Sequence, residues 1–395
     1  MNVKKAYIKL STIIIIMVVT AVISGLTAGI IVYSSYSKST GISYKNVEGD
    51  VALRQFLEVY SSVNEEYYED INKNEMIEAA IKGMLDYLGD NYTTYMDINQ
   101  TSMLNDALTG EYKGIGILIE DHMIKEVFSK SPAEKAGLLN GDIIIRINGI
   151  DVTDVSADEV AKRIKSSKGN MTISVSRNNE ELTFELSTEK LYVPAISSKV
   201  LDDTSIGYIR IATFSSTVAN QVSDALDELK DKNISSLIID LRSNSGGFLN
   251  AAEDVSSLFL EKGKVIYSLK SKKLNDIVKD KTKAKTNYKI VVIVDENTAS
   301  AAEIVASALK ESYGATIVGK TSYGKGKVQQ TISLIDGSMA KYTSAKWYTP
   351  NGTNIDKKGI TPDVDVDLTL EKDVNGNVTK IIDSQLLKAI EVLSN

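Results

Sequence analysis

Ser300 and Lys325 are the two residues whose type and setting could do covalent chemistry together. An unbroken apolar run at residues 291–294 (VVIV) has the pattern of a fully buried strand, and a polar turn, DENT, follows it. Ala301, Ile304, Val305, Ala308 and Leu309 then recur at helical spacing. Ser300 therefore stands at a strand-to-helix junction. Free backbone N–H groups and the positive end of a helix dipole favour negative charge developing there. A serine so placed can act as a nucleophile if a base is at hand. Lys325 lies between Gly324 and Gly326, beyond the next apolar strand at 316–319. Glycines permit sharp turns and close backbone approach, which could seat an ammonium in a buried slot. Read by position alone, Ser300 is equally a helix cap and Lys325 a solvated loop residue.

Composition restricts the base. The chain has one histidine, His122, and no cysteine, which removes thiolate nucleophiles, thiolate metal sites and disulfides. A Ser-His-Asp arrangement would have to recruit His122 from far outside the Ser300 region, so lysine and carboxylate are the remaining bases.

TASAAE, GKTSYGKGKVQQ and AKWYTPNGTNIDKKGITPDV, in this order, resemble the C-terminal (tail-specific) processing peptidases, serine proteases with a Ser-Lys dyad. The resemblance runs from about residue 50 onward. It implies Ser300 as nucleophile, Lys325 as base and Gln329 as the residue orienting that lysine. It also implies an oxyanion hole formed by the backbone N–H groups of Gly246 and Ala301, and a ClpP/crotonase-like α/β protease core. Ser245 stands where the family usually has proline, which predicts a less rigid loop. Lowering a lysine from ~10.4 to ~7–8 requires burial. The resemblance therefore demands an amine withdrawn from water and without a carboxylate partner.

Other elements must position these residues. In 395 residues, two or three domains are expected. The net charge of −7 argues against nucleic acid as a partner. Lys4, Lys5 and Lys9 precede an uncharged run at residues 10–33. As a helix it would span ~36 Å, enough for a ~30 Å hydrocarbon core. The flanking charges put residues 1–9 in the cytoplasm and the remainder outside, with a cleaved leader as the alternative. Residues 34–46 read as a linker. Residues 47–103 read as a helical region with one apolar face formed by Leu53, Phe56, Leu57, Tyr60, Val63 and Tyr67, and a second helix closing at Gly89. The family resemblance makes these helices candidates for homodimer formation. Asn91, where relatives often carry proline, predicts a looser turn.

EYKGIGILIE followed by SPAEKAGLLNGDIIIRINGIDV resembles a PDZ domain, over residues 104–189. In such domains a glycine-rich turn, here Gly114, Ile115, Gly116 and Ile117, offers N–H groups to a peptide's terminal carboxylate. His122 falls in a loop between PDZ strands and reads as an exposed polar residue. Residues 190–395 alternate strands and helices, an α/β signature. The lysine-rich stretch 270–289 reads as a solvated loop or flap. No P-loop, metal cluster or heme motif is present, and no cofactor is expected. The combined reading is a membrane-anchored serine endopeptidase with an inserted PDZ domain, acting on exported proteins bound by their C-terminal segments. Its rivals are a catalytically silent scaffold of the same architecture and a crotonase-type acyl enzyme.

Overall fold

The computed structural model describes residues 50–394, apart from 129, 168 and 373–377. The apolar run at 10–33 and the linker at 34–46 lie outside these residues. Among the described residues no helix is long and apolar enough to cross a membrane. The chain divides into two compact units between Ala80 and Ile81.

In the first unit, Asp50 caps the helix Val51–Glu66 by accepting the Leu53 N–H at 3.1 Å. This helix buries none of its residues, and Phe56, Leu57 and Val63 on its apolar face are exposed.

In the second unit, the central sheet has the order Ile196–Val200, Ile206–Ile211, Ser236–Asp240, Lys289–Val294, Thr316–Gly319, Val364–Asp365. The first pair is antiparallel and the others are parallel. Parallel strands must be covered on both faces, which explains their continuous apolar runs. Ile290, Val292 and Val294 point into one core, beside helices Val218–Asp231, Leu249–Ser257 and Ala301–Ala308. Val291 and Ile293 point the opposite way, into a core closed by Ala389 and Leu393 of the helix Ser384–Ser394. A second sheet carries Thr94–Met96, Met339–Tyr348, Val265–Lys270 and Asn275–Lys279, with Lys327–Ser333 paired to Met339–Tyr348. The lysine-rich stretch is thus a strand in part rather than a loop: Asn275–Lys279 pairs antiparallel with Val265–Lys270, and Asp280 behind it is buried.

The segment resembling a PDZ domain forms a sheet in the order Ile117–Glu120, Met123–Val127, Ile143–Ile147, Asn170–Arg177 and Glu180–Ser187 around a core including Ile115, Ile124, Ile144 and Ile173. Its incoming strand Glu111–Gly114 pairs with its outgoing strand Glu189–Tyr192, so the insertion is carried on a two-stranded ribbon. His122 sits in the tight turn between two of these strands with a φ of 71°. It is half-buried rather than exposed, and its Nε2 is buried without a partner.

Candidate active site

The junction predicted around Ser300 is a strained elbow. Ser300 has φ 57° and ψ −119°, a region that L-residues rarely occupy unless their surroundings enforce it. The enforcement is visible. Thr298 Oγ1 donates to Leu241 O at 2.9 Å, Ala299 N–H donates to Asn244 O at 2.9 Å, and Ser300 N–H donates to Glu303 Oε2 at 2.8 Å. The helix Ala301–Ala308 that starts here is buried along its whole length, and Ser300 is half-buried at its head.

Beside the elbow runs the glycine loop. A Cβ on Gly246 would come within 2.8 Å of Ser300 Cβ and 2.9 Å of Ala299 O, so the close approach requires glycine. The rigidity that proline would give at position 245 comes instead from buried Asn244. Its Nδ2 donates to Ile211 O at 2.8 Å, and its Oδ1 accepts the Gly246 N–H at 2.8 Å. In this arrangement the Gly246 N–H is therefore engaged and must leave Asn244 to serve an oxyanion. The Ala301 N–H stands at the helix start, next to the elbow.

Lys325 is fixed through its backbone. Gly324 and Gly326 flank it where a Cβ would lie 2.7 Å from Gly359 N and 2.6 Å from Asp356 N respectively. Lys325 N–H donates to Glu303 Oε2 at 2.9 Å, and its carbonyl accepts the Trp347 indole N–H at 2.7 Å. Half-buried, the side chain has no ion pair with any carboxylate among the described residues. Burial pushes its pKa down, the charge of Lys341 adds to that, and Glu303 opposes it.

Glu303 joins the two halves and was missed in the sequence. Its carboxylate is fully buried and accepts four donors: Ser300 N–H and Lys325 N–H on one oxygen, Gly324 N–H at 2.7 Å and Ser322 Oγ at 2.6 Å on the other. Burial pushes its pKa up, and the four hydrogen bonds it receives work against that shift. Because two N–H groups converge on Oε2, the serine elbow and the lysine loop lie side by side. A legible signal existed, since Ser300-x-x-Glu303 is the spacing of a capping box.

Gln329 sits on Lys327–Ser333 just past a bulge that re-aims it. Its Nε2 donates to Thr343 Oγ1 at 3.3 Å, and Thr343 Oγ1 donates in turn to Asp90 Oδ2 at 2.5 Å. No hydrogen bond among the described residues joins Lys325 Nζ to Ser300 Oγ or Gln329 to Lys325. The structure thus brings Ser300, Lys325, Gly246 and Ala301 into one neighbourhood with Gln329 turned to a different partner. Asp90 also pairs with Lys327 at 2.8 Å. Burial alone would raise its pKa, but bonds from Lys327, Thr343 and Thr93 bring it down to about 2. The turn beside Asn91 is closed, with Thr93 N–H on Asp90 O at 2.9 Å.

In the PDZ domain, Ile115 is buried and Gly116 has φ 85°. A Cβ on Gly116 would meet Ser131 Cβ at 2.2 Å. Gly114 and Ile117 bracket these two residues at the ends of their strands.

Comparison with known proteins places this geometry among proteases. The model of peptidase family S41 matches residues 205–366, a PDZ model matches 107–176, and the model of the activating protease CtpB N-terminal domain matches 30–100. The chain is 37% identical to carboxy-terminal processing protease CtpB of Bacillus subtilis over 332 residues, covering 80% of this chain and 68% of the relative. It is 35% identical to carboxy-terminal processing protease CtpA of the same organism over 329 residues, covering 81% and 70%. Among solved structures it is similar to a photosystem II D1 C-terminal processing protease, with 26% identity, a TM-score of 0.50, and coverage of 84% of this chain and 91% of that one.

Proposed function

The chain belongs to the PDZ-containing carboxy-terminal processing proteases, a family of serine-type peptidases, and on that premise we propose that it cleaves exported proteins by a Ser300-Lys325 dyad. Neutral Lys325 takes the Ser300 hydroxyl proton as Oγ attacks the scissile carbonyl carbon. The tetrahedral oxyanion is met by the N–H groups of Ala301 and Gly246, the latter released from Asn244. Lys325 then passes its proton to the departing amine nitrogen, the C–N bond breaks, and an acyl-Ser300 ester remains. Water, deprotonated by Lys325, hydrolyses that ester and restores the serine. Gln329, once turned from Thr343, orients the amine. The observation that carries this reading is a half-buried lysine with a depressed pKa and no carboxylate partner, tied by Glu303 to a strained serine elbow.

The rest of the proposal concerns delivery. Residues 10–33 anchor the chain in the cell membrane with the catalytic domain on the extracytoplasmic side. The exposed apolar face of Val51–Glu66 supports a homodimer. The PDZ turn at Gly114–Ile117 captures substrate C-termini and biases the protease between resting and competent arrangements, which requires different affinities for the two.

A second reading, a silent scaffold, is favoured by the disengaged groups: Gln329 on Thr343, the Gly246 N–H on Asn244, and no bond from Lys325 to Ser300. One experiment separates the two. The purified protein and its Ser300→Ala variant are incubated with an unstructured polypeptide bearing a free or an amidated C-terminus. Cleavage that needs Ser300 and falls on amidation is expected. No cleavage establishes the scaffold, and equal cleavage of both forms removes the PDZ from substrate selection.

A further inference from the structure

Lys325 lacks a carboxylate, yet its ammonium does not face apolar groups alone. Tyr92 lies on the turn before the strand Thr94–Met96, and its ring centroid is 5.1 Å from Lys325 Nζ. An ammonium within ~6 Å of an aromatic face is drawn to the ring's quadrupole. Lys327 Nζ lies 5.5 Å from the same ring, but Asp90 neutralises it at 2.8 Å, so Lys325 is the cation left to the ring.

The turn that presents Tyr92 is secured on both sides. Thr93 Oγ1 donates to Asp90 Oδ2 at 2.8 Å, and Thr343 N–H donates to Thr93 Oγ1 at 3.1 Å. The Tyr92 hydroxyl is pushed up to about 12 by burial and by its hydrogen bond with Tyr323, so the ring stays uncharged at any working pH. Strand Met339–Tyr348, which carries the Thr343 contact, also carries Lys341.

We propose that Tyr92 is a positioning residue of the dyad: its ring holds Lys325 while the amine is protonated and lets it go toward Ser300 once the amine is neutral. The proposal rests on the Ser-Lys reading above. A quadrupole attracts an ammonium and has no comparable grip on an amine, so the same contact distinguishes the form that cannot act as a base from the form that can. The charged and titratable groups around the pair are Glu303 on the site helix, Lys341 on strand Met339–Tyr348, Lys327 and Asp90 near the ring, Tyr323 hydrogen-bonded to Tyr92, and Asp356, whose charge reaches Tyr92. Glu303 favours the ammonium, and burial and Lys341 disfavour it. Tyr92 adds to the side of Glu303 while remaining neutral itself.

The test compares Tyr92→Leu, which keeps apolar bulk without a quadrupole, with Tyr92→Phe, which keeps the ring. Acetic anhydride labelling of Lys325, followed across pH in the full-length Ser300→Ala protein, reads the amine without turnover. In Tyr92→Leu the labelling midpoint should fall by roughly half to one pH unit, and in Tyr92→Phe it should stay in place. With Ser300 intact, the rising limb of kcat/KM should move likewise, so that below its midpoint Tyr92→Leu cleaves about 3–10-fold faster than the parent. Tyr92→Met, equally apolar, gives the same sign and stands in if the leucine variant does not fold. A midpoint that is unchanged or raised in the leucine and methionine variants, or lowered equally in Tyr92→Phe, overturns the proposal. If labelling shifts while the cleavage limb does not, the hold of Tyr92 on Lys325 stands and the assignment of Lys325 as base falls.

Discussion

Two half-buried cations in the same unit have opposite surroundings. Arg242, at the end of the strand Ser236–Asp240, donates to Asp240 and also to Asp383 and Gln385, which flank the start of the helix Ser384–Ser394. Tyr208 closes the cluster with a 2.7 Å bond to Asp240. Although burial opposes the charge, these carboxylates push the guanidinium pKa up. Lys325 has no such partner, and its pKa goes down. The fold uses the first cation to tie strand to helix. It leaves the second only an aromatic face and one carboxylate that its own backbone already occupies. Burial with compensation gives structure; burial without it gives a group ready to lose its proton.

Exchanging charge for charge at Lys325 should separate the two sites most sharply. Lys325→Arg keeps the positive charge but cannot act as a base, because guanidinium stays protonated. Cleavage should drop roughly 10²–10⁴-fold in a folded protein. Turnover near the parent rate would put Lys325 in the same class as Arg242.

Removing charge should then move stability in opposite directions. Arg242→Met leaves Asp240 buried without a countercharge, a loss of about 3–5 kcal/mol that a denaturant midpoint would report. Lys325→Met should instead melt above the parent. The sign follows from linkage: the folded pKa is depressed, so the unfolded chain binds the proton more tightly and parent stability rises with pH through the window between the depressed value and 10.5. The advantage of methionine is therefore largest below that window and shrinks across it. Parallel shifts in the two variants would erase the contrast.

The smallest expected effect belongs to Lys341. Its charge helps depress Lys325, so Lys341→Met should raise the Lys325 pKa and move the rising limb of the pH–rate profile to higher pH. At a fixed pH on that limb the rate falls a few-fold, and the plateau is kept. A limb that stays in place would mean that the charge of Lys341 has no part in setting the amine.

What could be read in the sequence was local. The apolar run before Ser300, the helical spacing after it and the glycines around Lys325 all lie within a few residues of what they determine, and the PDZ motifs are similarly compact. Glu303 was visible as a capping position, but its bonds to Ser322, Gly324 and Lys325 reach 19 to 22 residues along the chain and depend on how that loop folds. Asp90 and Tyr92 gave no signal, because their partners are strands near the other end of the unit. Asn275–Lys279 looked like loop since Ile277 and Val278 are its only apolar residues; its partner strand, not its composition, makes it a strand. At the glycine loop, rigidity attributed to a proline position is supplied one residue earlier, by Asn244.

The Asp90–Thr343 bond joins residues 253 apart in sequence, and the Lys327–Asp90 bond joins residues 237 apart. Contacts of that range close the longest loops in the chain and carry the largest closure entropy, so they are expected late in folding. The PDZ domain and the neighbouring parallel strands can assemble from nearer partners. The cradle of the lysine, which depends on the turn at Asp90, is then among the last parts of the molecule to take shape. On the Ser-Lys reading, a chain still emerging or refolding would carry its serine before its base is in place, and a protease that gains its reactivity last would spare its own unfolded segments.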